Sequence, residues 1–191
     1  CSSDNSLSIV KEYSIFFPIQ IVKTNQDLSL GEARALGIQN CTTRFISILD
    51  TDDEYLENSL EILYNSIVNS EFAVIYGNQK LMNTDGIIYD EIINKYIGEK
   101  GNFFRKLLIH WDIPIVAVIL NREMLIRENI NFSADYQGSE EFDFFLRLSG
   151  KFNFFSISDF VVKYRVHKSL SSNLGELREK ERRMALNKLE I

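Results

Sequence analysis

Residues 45–54 read Phe-Ile-Ser-Ile-Leu-Asp-Thr-Asp-Asp-Glu, an apolar run that ends in a cluster of carboxylates. The apolar half predicts a buried strand, and the leucines and isoleucine that follow it at steps of four, three and four predict a helix. In an open α/β sheet, ligands bind at the carboxyl ends of the strands. The acids therefore predict a ligand site at the end of this strand.

Asp50 and Asp52 have the spacing Asp-x-Asp at a chain reversal, where both side chains can point at one hard cation. Such a cation suits oxygen ligands and a diphosphate. A second interpretation is that Asp53 is the N-cap of the next helix and that the dipole of this helix favours Asp52. The spacing alone leaves both the cation site and the helix cap open. An EF-hand loop is excluded, because Glu54 and Tyr55 stand where that loop needs a ligand and then a glycine.

The composition bounds the class of protein. The chain has 191 residues, of which 45% are hydrophobic and 25% charged, as in a single globular domain. Its net charge of -6 and the lack of a long basic run argue against a nucleic-acid surface. No apolar run approaches the ~18 residues of a membrane-spanning helix. Cys1 and Cys41 are too few for a disulfide framework, which predicts a reducing, cytoplasmic location.

Alternating strands and helices predict an α/β fold with a mostly parallel sheet flanked by helices. The predicted strands are residues 19–23, 45–49, 72–76, 115–120 and 152–164. The predicted helices are residues 31–39, 56–69, 103–109, 122–128, 139–149 and 176–190. Asp85-Gly86, between residues 80–84 and 87–93, predicts a hairpin. We divide the chain into a domain of residues 1–173 and a C-terminal amphipathic helix within residues 174–191. Because its charges are mixed, we expect this helix to dock on the domain, with a second copy or a membrane surface as alternatives.

Two further clusters are candidates for chemistry. Glu140 and Glu141 stand at the first turn of a predicted helix, a position that the helix dipole also favours. His167 suits a metal or a phosphate, or is a surface residue. The chain has no Gly-x-Gly-x-x-Gly, P-loop, Cys-x-x-Cys or Gly-x-Ser-x-Gly pattern. Dinucleotide oxidoreductases, P-loop NTPases, zinc ribbons and serine hydrolases are therefore not supported.

Six elements occur in an order that points to one family. They read Ser-Asp-Asn-Ser at 3–6, Gly-Glu-Ala-Arg-Ala-Leu-Gly-Ile at 31–38, Ile-Leu-Asp-Thr-Asp-Asp at 48–53, Ile-Tyr-Gly-Asn at 75–78, Glu-Glu-Phe-Asp-Phe-Phe-Leu-Arg-Leu at 140–148 and Tyr-Arg-Val-His-Lys-Ser-Leu-Ser at 164–171. The ordered set, over about residues 1–173, resembles family-2 glycosyltransferases with the GT-A fold.

The resemblance implies a metal-dependent, inverting glycosyltransferase. Its donor would be a nucleotide diphosphate sugar, commonly UDP-linked, and its acceptor a glycan, a lipid-linked sugar or a protein in bacterial polysaccharide synthesis. Matching the family motifs residue by residue makes Glu141 the general base. It gives a Mn²⁺ or Mg²⁺ site formed by Asp50, Asp52 and His167. The residues expected to contact the nucleotide sugar are Asp53, Arg34 and Glu140. Association with the inner face of the membrane and a homodimer are further expectations.

Three positions depart from the family pattern. Glu141 replaces the usual Asp, and Ala35 replaces the usual Asn after Ala-Arg. Cys1 falls near the Gly of the first family motif, so the first two strands of the family are expected before residue 1. The first and third departures leave one alternative, a module that binds a nucleotide sugar or a partner without turnover. A second alternative is a metal-dependent nucleotidyltransferase, which shares the α/β layout and the paired acids. The second would be supported by a Gly-rich phosphate loop, and the sequence shows none.

Overall fold

The computed structural model describes residues 4–167 and 174–189, which form seven α-helices and seven strands. The helices are α1 Ser6–Tyr13, α2 Leu30–Asn40, α3 Ser59–Ile67, α4 Phe104–Ile109, α5 Arg122–Arg127, α6 Glu140–Ser149 and α7 Gly175–Asn187. The strands are β1 Phe45–Ile46, β2 Glu54–Tyr55, β3 Val74–Met82, β4 Ile88–Ile92, β5 Lys100–Asn102, β6 Val118–Asn121 and β7 Asn153–Arg165. A 3₁₀ turn, Ile115–Ala117, leads into β6.

All described strands belong to one sheet in the order β1-β6-β3-β7-β2, with β4 beside β3 and β5 beside β7. Among the described strand pairs, only β3 and β7 are parallel. The sheet is therefore mixed, which corrects the expectation of a mostly parallel one. Parallel neighbours need a long crossover connection. Here a tight hairpin joins β3 to the antiparallel strand β4. β6, which follows the 3₁₀ turn, also runs antiparallel to β3. β1, β3 and β7 still run the same way.

The strand that carries the acids is shorter than predicted. β1 forms its ladder with β6 only at Phe45 and Ile46, and residues 47–50 continue without strand pairing. β1 is the last strand on its side of the described sheet, so it has a neighbour on one side only. Leu49 consequently stays 40% exposed instead of buried. The predicted strand at residues 19–23 is also wrong, because no described strand lies beside it to pair with its backbone.

The helix after the acids begins later than predicted. Glu54 and Tyr55 first pair with β7, and Asn58, with a φ of 62°, then turns the chain into α3. Asp53 is therefore not a helix cap, and that interpretation of the acids is wrong. Leu63 and Ile67 lie in the core as predicted, whereas Leu60 is exposed. β2 pairs with β7 near its end, at Val162 and Lys163, and is the last strand on that side of the described sheet.

The predicted hairpin is confirmed, with Gly86 in the turn at a φ of +82°. The two strands predicted at residues 72–76 and 80–84 are one continuous strand, β3. Three-residue β5 has no counterpart among the predicted elements.

The core fixes the position of α6. Phe144 and Phe145 of this helix are fully buried, and Phe144 stacks on Phe132 with 4.2 Å between ring centroids. α7 packs against α6 and buries Ala185, as expected of a helix that docks on the domain. The beginning of α6, which carries Glu140 and Glu141, is thus held from two sides. No helix within residues 4–167 and 174–189 has both the length and the apolar character needed to cross a membrane.

Candidate active site

One guanidinium connects three of the predicted site residues. Arg34 Nη1 donates to Glu141 Oε1 at 2.8 Å and to Glu140 Oε1 at 3.2 Å. Its Nη2 donates to both carboxylate oxygens of Asp50, at 3.1 and 3.0 Å. Charge-assisted bonds of this kind are the strong ones in proteins. The end of β1 and the start of α6 are therefore joined through α2.

Local sequence explains how Arg34 reaches this position. Ser29 and Glu32 form a reciprocal capping box that starts α2. A Cβ added at Gly31 would lie 2.8 Å from the Ser133 carbonyl oxygen, so a side chain there would push the helix away. Because the glycine permits close approach, Arg34 lies one turn further along, facing the acids of α6.

Glu141 has the electrostatics of a general base. Burial raises the pKa of its carboxyl to about 7, although the charge of Arg34 opposes the rise. Its side chain remains 28% exposed, so an incoming group can still reach it. A base works best when its pKa lies near the pH of the reaction. The position therefore suits proton transfer at neutral pH.

Glu140 is the more enclosed of the two acids. Its Oε1 bonds to Arg34, whereas Oε2 is buried without a hydrogen-bond partner. Asp143, also in the first turn of α6, is buried and bound to Arg147 at 2.6 and 2.9 Å. Asp143 is therefore committed to an ion pair within α6, whereas Glu141 keeps an exposed part of its side chain.

The second acid of the Asp-x-Asp pair has a different partner. His167 Nε2 lies 2.6 Å from Asp52 Oδ2, which brings together two elements that are far apart in the sequence. This hydrogen bond, more than any other interaction, lowers the pKa of Asp52. Asp52 is thus ionised at neutral pH, and the ring nitrogen donates to it. Residues 168–171 of the same predicted element lie outside the described part of the chain.

Arg165 fixes the backbone around these acids. Its backbone N–H donates to Asp53 Oδ1 at 2.7 Å, and its Nε donates to the Asp52 carbonyl oxygen at 2.8 Å. Asp53 is buried, and burial raises the pKa of its carboxyl to about 6. Its side chain is directed at β7, which favours a positioning role over contact with a nucleotide sugar.

The side chains at the predicted metal site can be tested for fit. Within residues 4–167 and 174–189, no three His, Cys, Asp or Glu side chains converge as a ready metal site. Asp52 and His167 supply one carboxylate and one imidazole that contact each other, while Asp50 is bound by Arg34. Mg²⁺ and similar ions are often held by one or two protein ligands together with substrate phosphates. The donor set fits a cation shared with a diphosphate.

A cavity of about 260 Å³ opens beside Glu141. Its lining includes Asp50, Glu140, Glu141, Trp111, Arg178 and Arg182. The last three residues were not among the predicted site residues. The only signal for the arginines was their i, i+4 spacing, which places both on one face of α7.

Comparison with known proteins gives the family. A sequence model of Glycosyl transferase family 2 matches residues 1–128. The Escherichia coli UDP-Glc:alpha-D-GlcNAc-diphosphoundecaprenol beta-1,3-glucosyltransferase WfgD is 27% identical over 175 residues, which cover 90% of this chain and 65% of that protein. The putative teichuronic acid biosynthesis glycosyltransferase TuaG of Bacillus subtilis is 23% identical and is covered to 68%, with 91% of this chain aligned.

Solved structures confirm the predicted α/β, GT-A-type fold. S. aureus TarS in complex with UDP superposes with a TM-score of 0.68 at 17% identity, over 87% of this chain and 49% of TarS 1-349. The mannosyltransferase PcManGT from Pyrobaculum calidifontis, solved with GDP-Man and Mn²⁺, gives 0.64 at 13% identity, over 97% of this chain and 51% of that one.

The chain thus spans 65% of the length of WfgD and about half of each of these two structures. The family model covers two thirds of the chain and includes Arg34, Asp50 and Asp52. The chain belongs to glycosyl transferase family 2.

Proposed function

We propose that this chain carries the active site of an inverting glycosyltransferase that moves a sugar from a UDP-linked donor to an acceptor hydroxyl. The observation that carries the proposal is the ion cluster in which Arg34 joins Asp50 to Glu141. It brings the Asp-x-Asp end of β1 and a base of raised pKa to the same cavity. Family membership supports sugar transfer, and WfgD and TarS support a UDP-linked donor by their names and bound ligands.

In the proposed reaction, Glu141 takes the proton of the acceptor hydroxyl. The acceptor oxygen attacks the anomeric carbon of the donor sugar as the bond from that carbon to the diphosphate oxygen breaks. The electron pair of the broken bond leaves with the diphosphate, and Glu141 ends the step protonated. Attack opposite the leaving group inverts the anomeric configuration. With a pKa of about 7, Glu141 is ionised in a useful fraction of molecules at neutral pH.

Arg34 serves as a positioning residue in this proposal. Its hydrogen-bond partners within residues 4–167 and 174–189 are carboxylates, which favours this role over the phosphate contact that the family motif suggested. It orients Glu141 and keeps its pKa lower than burial alone would set it. Asp53 supports the site through Arg165, and Glu140 through Arg34.

Asp52 and His167 would hold Mn²⁺ or Mg²⁺ together with the donor diphosphate, with Asp50 beside them. Such an ion neutralises the charge that develops on the leaving diphosphate. The hydrogen bond between Asp52 and His167 holds the segment before β2 close to the end of β7. Arg165 fixes the backbone of residues 52 and 53 as well, so both side chains stand together before a substrate enters, and the cation would replace the proton that now lies between them.

A transfer assay tests the proposal. The protein is incubated with Mn²⁺, one UDP-sugar at a time and glycan or lipid-linked acceptors, and products are followed by mass spectrometry. We expect one UDP-sugar to yield UDP and a glycosylated acceptor whose new anomeric configuration, determined by NMR, is inverted. Donor binding without any transfer would contradict the proposal and favour a nucleotide-sugar-binding module.

A further inference from the structure

The cavity beside Glu141 has a positively charged wall that the proposed chemistry does not use. Arg178 and Arg182 stand one turn apart on α7 and both line the cavity of about 260 Å³. Asp50 of the proposed donor end also lines it, whereas Asp52, Asp53 and His167 do not. The two arginines and Glu141 therefore share a cavity that excludes the Asp52–His167 pair.

Arg178 and Arg182 lack the counter-charges that Arg183 and Lys188 have. Arg183 pairs with Glu179 at 2.5 Å, and Lys188 pairs with Asp135 at 2.7 Å. Arg178 and Arg182 form no ion pair with any carboxylate in the described part of the chain, and the Nε atoms of both are buried without a hydrogen-bond partner. Burial, and then the charge of Arg178, lowers the pKa of Arg182. Two like charges held in a half-buried wall are stabilised by an anion placed between them.

The structure holds this wall in a fixed position relative to the base. Glu181, between the arginines, accepts the backbone N–H groups of Gln137 and Gly138 at 2.8 and 3.0 Å. These residues lead directly into α6. The Arg182 guanidinium also lies over the ring of Phe142, 5.3 Å from its centroid. α7 is therefore attached both to the segment that leads into α6 and to α6 itself, where Glu141 lies.

Trp111 gives the same cavity an aromatic wall. Its ring lies edge-on to Phe142 at 5.7 Å and is tilted against Phe145 at 5.7 Å. A rigid indole offers an apolar face on which a sugar ring can lie. A cavity of about 260 Å³ is smaller than sites for drug-sized ligands, so it suits one sugar ring and its substituent.

We propose that Arg178 and Arg182 bind a phosphate group on the acceptor, so that the acceptor is a sugar joined to phosphate or diphosphate. Its ring lies against Trp111 and its hydroxyl reaches Glu141. This inference rests on the proposed function. Paired guanidinium groups match phosphate oxygens in geometry and charge.

The single tryptophan of the chain makes binding measurable without catalysis. Trp111 fluorescence is followed while N-acetylglucosamine 1-phosphate is added in the presence of EDTA, which removes the cation that the donor end requires. Methyl N-acetylglucosaminide is the neutral control probe. We expect saturable binding of the phosphate compound and no saturation with the neutral one. No saturable binding of the phosphate compound would overturn the proposal.

Arg178→Gln and Arg182→Gln are each expected to weaken binding of the phosphate probe by about tenfold or more. Arg183→Gln, on the same helix and paired with Glu179, is the matched control and should bind like the wild type. Arg182→Lys retains the charge and should give an intermediate affinity if the glutamine variants fold poorly. Equal affinity in the Arg178 and Arg182 variants and in the wild type would overturn the proposal.

A second probe identifies the source of the phosphate. The same sugar joined through diphosphate to a decyl chain should also lose affinity in the Arg178 and Arg182 variants. If the wild type binds the decyl diphosphate sugar more tightly than the soluble sugar phosphate, the acceptor is lipid-linked. If it binds the decyl compound more weakly, the acceptor is soluble. If both variants transfer sugar to neutral acceptors with an unchanged acceptor KM, the phosphate subsite is ruled out and the transferase proposal stands. If binding depends on the arginines but no acceptor receives a sugar, the transferase proposal is ruled out and the phosphate subsite stands.

Discussion

Arg34 and Glu141 are 107 residues apart in the sequence, and their side chains meet at 2.8 Å. The contact places a buried cation beside the carboxyl whose pKa burial raises to about 7. Without Arg34, the same burial would hold this carboxyl protonated over more of the neutral range. The pair therefore sets both the direction and the protonation of the proposed base.

This pair predicts the pH dependence of the reaction. Only ionised Glu141 can accept a proton, so kcat/KM should rise with pH and level off above about 7. Arg34 lowers the pKa of Glu141, so Arg34→Gln should move the midpoint to higher pH, and Arg34→Lys should move it less. Initial rates from pH 5 to 9 measure this shift. Asp53→Asn removes another carboxyl with a raised pKa, about 6, and should leave the midpoint in place. A midpoint that follows Asp53 instead would contradict the assignment.

Glu141→Gln separates chemistry from binding. The amide keeps the size of the side chain but cannot take a proton, so transfer should fall by about 10² to 10⁴-fold while the Kd for UDP stays unchanged. Rate assays and calorimetry on the same preparation measure both quantities. Asp143→Asn is the comparison variant. Because Asp143 pairs with Arg147 inside the fold, its loss should lower stability more than turnover. Near-normal transfer in Glu141→Gln would place the base elsewhere.

Two glycines of α2 predict opposite effects of alanine. A Cβ at Gly37 meets no atom within 4 Å, so Gly37→Ala should raise the free energy of unfolding by about 0.5–1 kcal/mol. A Cβ at Gly31 meets the Ser133 carbonyl oxygen at 2.8 Å, so Gly31→Ala should lower it by about 1–3 kcal/mol. It should also reduce transfer, because the displaced helix carries Arg34. Urea unfolding measures both variants. A stabilising Gly31→Ala would show that α2 does not need this close approach.

Glu181 predicts how strongly α7 is attached. In Glu181→Gln, the side-chain NH₂ group faces the backbone N–H of either Gln137 or Gly138, which then lacks an acceptor. The free energy of unfolding should fall by about 1–3 kcal/mol. Glu179→Gln breaks an exposed i, i+4 pair and should cost about 0.3–0.5 kcal/mol. Urea midpoints of the two variants give the comparison. Equal midpoints would mean that the buried bonds of Glu181 contribute little.

The family motifs located the site more accurately than periodicity located the strands. Matching motifs picked out Arg34, Asp50 and Glu141, and the structure brings the three together. The pattern of residues 45–49 suggested a fully buried strand, yet Leu49 is exposed, because apolar spacing does not reveal that β1 has one neighbour. Residues 19–23 show the same limit, since β-branched residues favour a strand only where another strand pairs with them.

The positive wall of the cavity was beyond the reach of sequence reasoning for a different reason. Arg178 and Arg182 stand in a helix of mixed charge, and only packing distinguishes them from the solvent-facing Arg183. The domain boundary near residue 173, the homodimer and association with a membrane face stay predictions.

Calorimetric titration of UDP, with and without Mn²⁺, tests the central claim most directly. Asp52 and His167 form the proposed cation site, so wild-type protein should bind UDP only when Mn²⁺ is present. Asp52→Ala and His167→Gln should lose this binding. Asp159→Ala, which removes an exposed acid elsewhere on β7, should retain it. Binding of equal affinity without Mn²⁺, or unchanged Mn²⁺-dependent affinity in Asp52→Ala, would contradict the account.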